Sequence, residues 1–214
     1  DRIADHMTIT LKNTAMTPII SQVTDFACAL YDGQGRQLAM VDGAPIHAAP
    51  LDGVVKSVLK RFEGHIFDGD VFLTNDPLVG NTHNGDLVCL VPAFHGDELL
   101  FWGVVSAHQL DVGTPSPASG QPWAADVYQE GLTIPPIKIV DRGVQRTDVI
   151  DLYLANVRWK DLLYGDLMAE VGAAQVGREK SLEMCEQFGL QTTKDLIEAV
   201  LAYGRERTSE QFKQ

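Results

Sequence analysis

Two strand-length apolar runs, at residues 87–94 and 99–107, constrain the fold of this chain more than any other feature. Residues 95–98, His-Gly-Asp-Glu, form a short polar spacer between them. This pattern is typical of two antiparallel strands joined by a hairpin turn. We therefore predict that the start of the first strand lies beside the end of the second.

Titratable side chains stand at that shared edge. His83 and Asp86 precede the first run, and His108 and Asp111 follow the second. Two imidazoles with a carboxylate suit zinc, manganese or iron(II), and a site without thiolate is less typical of a purely structural zinc. The alternative is that these are ordinary turn residues, because Asp and Asn serve turns well and an isolated His is usually a satisfied polar residue.

Composition excludes several partners. The 214 residues carry a formal net charge of -12, which argues against nucleic acid and anionic membranes, since both attract basic surfaces. The apolar runs are too short for a transmembrane helix. Cys28, Cys89 and Cys185 are odd in number and widely spaced, which favours buried thiols in a reducing compartment, by default the cytoplasm, over a catalytic thiol.

The N-terminal part predicts a helix followed by a second hairpin. Between residues 2 and 20, apolar residues recur every four positions, as on one face of an amphipathic helix. Strands are expected at 25–31 and 37–41, with a turn at 32–35. Asp25 stands at the mouth of this hairpin, where local pattern alone favours a helix or turn cap. The chain opens at Asp1 directly in periodic sequence, which suggests a processed or partial chain.

The middle of the chain offers two further candidate residues. His47 lies in a proline-flanked segment before a helix expected at 51–62, and it points either into a pocket or to the surface. Glu130 follows an irregular stretch at 109–126, which is typical of a lid or binding loop, with disorder as the alternative. Glu130 is either a general acid or base or an exposed carboxylate.

The remaining elements predict the fold class. A short buried strand is expected at 71–74, and an edge or bulged strand at 134–140, because its prolines donate no ladder hydrogen bonds. Helices are expected at 147–156, 161–188 and from 193 to beyond 212, with Thr147 and Thr192 or Thr193 as caps. The result is an α+β fold, with a mixed β-rich metal-site domain at 1–145 followed by a helical C-terminal third at 146–214 packed on it.

Several strings resemble those of the hydantoinase B/oxoprolinase family. They are DFACAL at 25–30, TNDP at 74–77, THNGD at 82–86, AHQLDVG at 107–113 and QEGLTIPPIK at 129–138. The resemblance extends in order from near residue 1 to the final helix. Family members are usually much longer, so the chain is similar to their N-terminal portion. No phosphate loop is present to suggest a nucleotide site.

The resemblance implies a set of site residues. The family's metal centre uses a His-x-x-Asp pair, a second His about 25 positions on and, in some members, an upstream Asp. These positions correspond to His83, Asp86, His108 and Asp25, so the resemblance favours Asp25 as a ligand rather than a cap. A divalent ion, zinc or manganese, is implied, with His47 and Glu130 as weaker candidates for proton transfer or substrate positioning.

The resemblance also implies partners and a reaction. A partner of the hydantoinase A type binds ATP with Mg²⁺ and phosphorylates the substrate, and further small subunits occur. His108-Gln109 replaces the His-His of hydantoinase-like members and is closer to the ketone carboxylases. Gly80-Asn81 and Gly113-Thr114 replace common Gly-Gly pairs, which leaves the loop geometry and the choice of substrate open.

Our first expectation is therefore a metal-dependent subunit of an acetone/acetophenone carboxylase-like enzyme, which carboxylates an activated enol phosphate of a small ketone. The alternatives are a subunit of an ATP-dependent hydantoinase, oxoprolinase or lactamase, which hydrolyses a cyclic amide, and a non-catalytic assembly subunit. In the hydrolase the same metal would activate water.

Overall fold

The computed structural model describes residues 2–47, 51–116 and 121–211. Its centre is an antiparallel sheet of seven strands in the order β2-β1-β5-β4-β3-β6-β7. The strands are β1 (Phe26–Asp32), β2 (Gln37–Asp42), β3 (Val71–Thr74), β4 (Asp86–His95), β5 (Glu98–His108), β6 (Ile137–Asp141) and β7 (Val144–Gln145). The helices are α1 (Arg2–Thr14), α2 (Pro18–Ser21), α3 (Leu51–Arg61), α4 (Thr147–Ala155), α5 (Lys160–Phe188) and α6 (Leu190–Gln211). The predicted α+β class is confirmed.

β4 and β5 form the predicted hairpin, which lies in the middle of the sheet. Its turn contains Gly96 with a φ of 62°, a left-handed conformation that glycine adopts without steric cost. The register brings Asp86 directly opposite His108. The far end of the hairpin therefore carries a carboxylate and an imidazole on the same face of the sheet, because directly paired residues point to the same side.

Helices cover both faces of the sheet. Val105 and Ala107 of β5 pack in one cluster with Leu167 of α5, whereas Val104 packs in a second cluster with Val54 of α3. Side chains alternate along a strand, so Ser106 and His108 belong to the α3 face. The candidate site thus lies at one end of the central strands β4 and β5, on the face of the sheet that α3 covers.

The first helix is shorter than predicted. α1 ends at Thr14, and α2 begins at Pro18. Proline donates no backbone hydrogen bond and disfavours a helical conformation in the residue before it, and Thr17 is extended, with φ -93° and ψ 146°. The buried carboxylate of Asp166 accepts hydrogen bonds from Met16 N, Thr17 N and Thr17 Oγ1, which anchors this break to α5.

Both predicted threonine caps are wrong. Thr147 is the first residue of α4, whose N-cap is Arg146 without a side-chain hydrogen bond. α6 begins at Leu190, immediately after Gly189, and the Thr193 hydroxyl donates to the Gly189 carbonyl oxygen from inside the helix. A threonine hydroxyl inside a helix can donate to the carbonyl oxygen four residues earlier, so a threonine in this region does not by itself identify the first residue of α6.

The strand after the prolines is the bulged alternative. β6 begins after Pro136 and pairs with both β3 and β7, with a register shift opposite Val71 and Phe72. The loop predicted at 109–126 is described except for residues 117–120 and is followed by a 3-10 helix, Val127–Glu130. Residues beyond 211, where the last helix was expected to continue, lie outside the described residues.

The structure also describes the helices and the three cysteines on which the predictions from composition depend. No helix in the described part of the chain has the length and apolar character that crossing a bilayer requires. Cys28, Cys89 and Cys185 are free and buried. Burial raises the pKa of the Cys28 thiol to about 12, which disfavours the reactive thiolate.

Candidate metal centre

Three predicted ligands converge at the open end of the β4–β5 hairpin. His83, Asp86 and His108 each offer one donor atom, and these atoms all lie within 4.8 Å of one another. Among the residues that the structure describes, they form the one group of three or more His, Cys, Asp or Glu side chains with this property. Asp86 and His108 are buried and His83 is half-buried, so the cluster is open on the His83 side.

The turn before β4 brings His83 to the end of the hairpin. The Asn81 side-chain amide donates to the carbonyl oxygens of His83, at 3.0 Å, and Asp86, at 2.7 Å, which closes the turn. The Gly85 N–H donates to His83 Nδ1 at 3.3 Å. As a result the His83 and His108 rings stack with their centroids 5.1 Å apart.

Gly85 leaves the space that the two imidazoles occupy. A Cβ atom on Gly85 would lie 2.5 Å from His83 Cε1 and 2.8 Å from His108 Cε1. Nonbonded carbon atoms in a folded protein do not lie this close together, so the imidazole rings would have to move. Glycine at this position is therefore a steric requirement for the paired rings.

Asp86 is held as an anion at the centre of the cluster. Its Oδ1 lies 2.7 Å from His108 Nδ1 and 3.2 Å from His83 Nε2, and the Thr82 hydroxyl donates to Oδ2. Burial by itself would raise the pKa of Asp86, but the hydrogen bonds from His108, His83 and Thr82 outweigh it and hold the pKa far below its usual range. The hydrogen bond to Asp86 in turn raises the pKa of His83.

One nitrogen of the cluster lacks a partner. His108 Nε2 is buried and makes no hydrogen bond within the described part of the chain. Buried polar atoms are normally satisfied, so the unpartnered Nε2 indicates a missing partner, and an imidazole nitrogen is a common metal ligand. The donor set and the unpartnered nitrogen therefore fit a divalent cation.

Asp25 and His47 form a second layer next to the cluster. Asp25 Oδ1 lies 3.0 Å from His47 Nε2, and His47 Nδ1 lies 3.2 Å from Ser106 Oγ and 3.4 Å from Asp86 Oδ2. The predicted ligand Asp25 is thus outside the three-residue group and joined to it through the buried His47 ring. Its backbone carbonyl oxygen also accepts a hydrogen bond from His108 N at 3.0 Å.

Glu130 and Asp111 differ in their relation to the cluster. Glu130 is half-buried, and its charge is one of those that raise the pKa of His83, after the larger effect of Asp86. Asp111 is buried and accepts hydrogen bonds from Gly113 N, Arg158 N and Arg158 Nη1, which ties the loop after β5 to the start of α5. Asp111 therefore serves the loop and not the cluster.

Sequence reasoning missed Thr82 and Ser106. Ser106 lies two positions before His108 in the same strand, so alternation alone would have placed it on the face of the site. Thr82 gave no comparable signal, because its contact with Asp86 depends on the turn closed by Asn81.

Comparison with known proteins gives a consistent match. A family model described as Hydantoinase B/oxoprolinase matches residues 1–214. The B subunit of a putative D-/L-hydantoinase from Pseudomonas sp. (strain NS671) is 33% identical over 100% of this chain and 37% of its own length. The crystal structure of ATP-dependent caprolactamase from Pseudomonas jessenii superimposes with a TM-score of 0.88 and 34% identity, covering 93% of this chain and 34% of that one.

A more distant structure shares the fold. A nucleotide-free structure of acetone carboxylase superimposes with a TM-score of 0.79 at 24% identity, over 89% of this chain and 25% of that one. The chain spans about a third of the length of the hydantoinase and caprolactamase relatives.

Proposed function

Because this chain belongs to the hydantoinase B/oxoprolinase family, we propose that it is the metal-binding module of an ATP-dependent enzyme that hydrolyses a cyclic amide. The supporting observation is the cluster of His83, Asp86 and His108, whose donor atoms lie within 4.8 Å of one another. The relatives above 30% identity include subunits of a caprolactamase and of a putative hydantoinase, and both names denote enzymes that act on cyclic amides.

This proposal differs from the first expectation, a ketone carboxylase. The carboxylase comparison, at 24% identity, extends to the fold alone. Carboxylation of an activated ketone remains the second candidate because of one local feature, the His108-Gln109 pair. Gln109 points to the opposite face of the sheet, where its amide donates to Glu170 Oε1 at 2.6 Å.

His83, Asp86 and His108 are the residues that would hold a divalent zinc or manganese ion, with Asp25 as a further ligand reached by a side-chain movement away from His47. Such an ion, when bound, supplies Lewis-acid polarisation of an oxygen and stabilises negative charge that develops there. Asp86 contributes an anionic carboxylate, because its low pKa keeps it ionised at neutral pH.

His47 is the candidate for moving a proton. A carboxylate only accepts hydrogen bonds, so the contact with Asp25 assigns the proton of the neutral ring to Nε2. Nδ1 faces the Ser106 hydroxyl at 3.2 Å and the Asp86 carboxylate at 3.4 Å. Glu130, which stands on the open side near His83, is the candidate for positioning the substrate or exchanging a proton with it.

The partner in this proposal is an ATP-binding subunit of the hydantoinase A type, which phosphorylates the substrate in the cytoplasm. The caprolactamase and hydantoinase relatives are each named as one subunit of their enzyme, so both enzymes have more than one chain by name. The cluster described here consists of two imidazoles and one carboxylate, and the proposal assigns it a role after the substrate has been activated with ATP.

The first test measures metal content. We expect the purified wild-type protein to retain a divalent metal through gel filtration, and His83→Ala to lose it. His65→Ala is the matched control, because His65 is an exposed histidine outside the cluster. Equal metal content in wild type and His83→Ala would reject both enzymatic functions and favour the assembly subunit.

The second test separates hydrolysis from carboxylation. The enzyme assembled with its ATP-binding partner is assayed for ATP turnover with lactams and hydantoins without bicarbonate, and with small ketones with bicarbonate. We expect turnover with a cyclic amide that is independent of bicarbonate. Turnover restricted to ketones and bicarbonate would select the second candidate.

A further inference from the structure

Thr24, directly before the candidate ligand Asp25, has an unfavourable backbone conformation. Its φ is 61°, in the left-handed region that glycine and asparagine tolerate and β-branched residues rarely adopt. Residues held in such conformations cluster at functional sites, where their surroundings impose the strain. Glycine would adopt this conformation without strain, so the turn by itself does not require threonine at this position.

The surroundings of Thr24 impose this conformation. Gly43, after the neighbouring strand, approaches so closely that a Cβ atom on it would lie 1.9 Å from the Thr24 carbonyl oxygen. Phe26 N donates to that same oxygen at 3.0 Å, and Asp25 N donates to Ile19 O at 3.2 Å. The turn between α2 and β1 is therefore fastened on both sides of Thr24.

The turn delivers Asp25 to the site in two ways. The Asp25 carbonyl oxygen accepts a hydrogen bond from His108 N, so the backbone of Asp25 is attached to the backbone of a candidate ligand. The Asp25 carboxylate lies 3.0 Å from His47 Nε2. The direction of the carboxylate thus depends on the backbone angles of the residue before it.

We propose that Thr24 is a positioning residue, which fixes the Asp25 carboxylate against His47 and thereby, on the proposed function, holds the His47 ring beside the metal ligand Asp86. A β-branched residue held in the left-handed region has a narrow range of backbone angles, whereas glycine at the same position has a wide one. Threonine therefore restricts the direction of Asp25 more tightly than the conformation itself requires.

The test uses Thr24→Gly, which keeps the turn possible and removes the restriction. In the metal-free protein, imidazole ¹H–¹⁵N correlation spectra report the hydrogen bond between His47 and Asp25. We expect the His47 ring signals of Thr24→Gly to shift towards those of Asp25→Ala, while the melting temperature stays equal to or above that of wild type. Val23→Gly, at the exposed neighbouring position, is the control and should leave the ring signals in place.

Metal affinity gives the second readout. Loss of an orienting residue around a metal site typically weakens affinity about 10- to 100-fold, and we expect a weakening of this order in Thr24→Gly. Thr24→Asn should recover most of it, because asparagine tolerates the left-handed region and keeps a side chain. A loss of affinity without a loss of stability distinguishes positioning from a general structural role.

Wild-type His47 ring signals in Thr24→Gly, or a melting temperature of Thr24→Gly below that of wild type, would overturn the inference about Thr24. Absence of metal from the wild-type protein would instead overturn the proposed function. The ring spectra of the metal-free protein decide the role of Thr24 in either case.

Discussion

Glu170 is a buried acid beneath the sheet, and its replacement tests how the fold handles an unbalanced charge. It lies on α5 with no exposed surface. Gln109 donates to its Oε1 at 2.6 Å, while Oε2 is buried without a hydrogen-bond partner in the described part of the chain. Burial, and then the negative charge of Asp166, raise the pKa of Glu170 well above its usual value, although hydrogen bonds from Gln109 and Cys89 oppose the rise.

The raised pKa has a definite sign for stability. Between the pKa of the unfolded chain and the higher pKa of the folded protein, the folded state binds more protons than the unfolded state. The free energy of unfolding therefore falls as pH rises through this window, by about 1.4 kcal/mol per pH unit for one such group. Glu170→Gln keeps the shape of the side chain and removes the titration.

We expect Glu170→Gln to gain stability relative to wild type as pH increases. In urea unfolding between about pH 5 and about pH 7, the difference between the two proteins should grow by about 1.4 kcal/mol per unit, up to the folded pKa of Glu170. Glu179→Gln, at an exposed position of the same helix, is the control for the change of charge. If the difference in the free energy of unfolding between wild type and Glu170→Gln stays constant with pH, the claim that the buried Glu170 carboxyl is uncharged would be refuted.

Three glycine substitutions give further tests of packing. Gly85→Ala places a Cβ 2.5 Å from His83 Cε1, and we expect metal affinity, measured by competition with a chelator, to fall about 10-fold or more. Gly103→Ala places a Cβ 2.2 Å from the Ala174 carbonyl oxygen, and overpacking of this kind should lower the free energy of unfolding by about 1–3 kcal/mol. Gly172→Ala has open space in α5 and should instead raise it, by up to about 1 kcal/mol, so a loss there would contradict the packing described.

The central hairpin and its ligands were predictable from sequence for a physical reason. A short turn determines that β4 pairs with β5, so an approach of Asp86 to His108 was predictable, but a register shift between Ala93 and Phe94 places Asp86 opposite His108 instead of the neighbouring Ala107. His83 was within reach because it precedes Asp86 by one short turn.

Other parts of the site depend on contacts that no local pattern encodes. The link from Asp25 through His47 to Ser106 joins three separate segments, and it requires the left-handed turn at Thr24. The burial of Glu170 was not predicted either, because a carboxylate in a helix is expected on the exposed face. It is buried because α5 lies directly on the sheet, as the close approach of Gly103 to Ala174 shows.

The central claim is that His83, Asp86 and His108 bind one divalent ion. Anomalous diffraction from crystals of the metal-loaded protein tests it most directly. We predict one strong peak among these three side chains, within about 2.0–2.3 Å of an imidazole nitrogen on each histidine and of an Asp86 oxygen. A metal-loaded protein whose peak lies elsewhere, with the two rings still stacked against each other, would contradict the account.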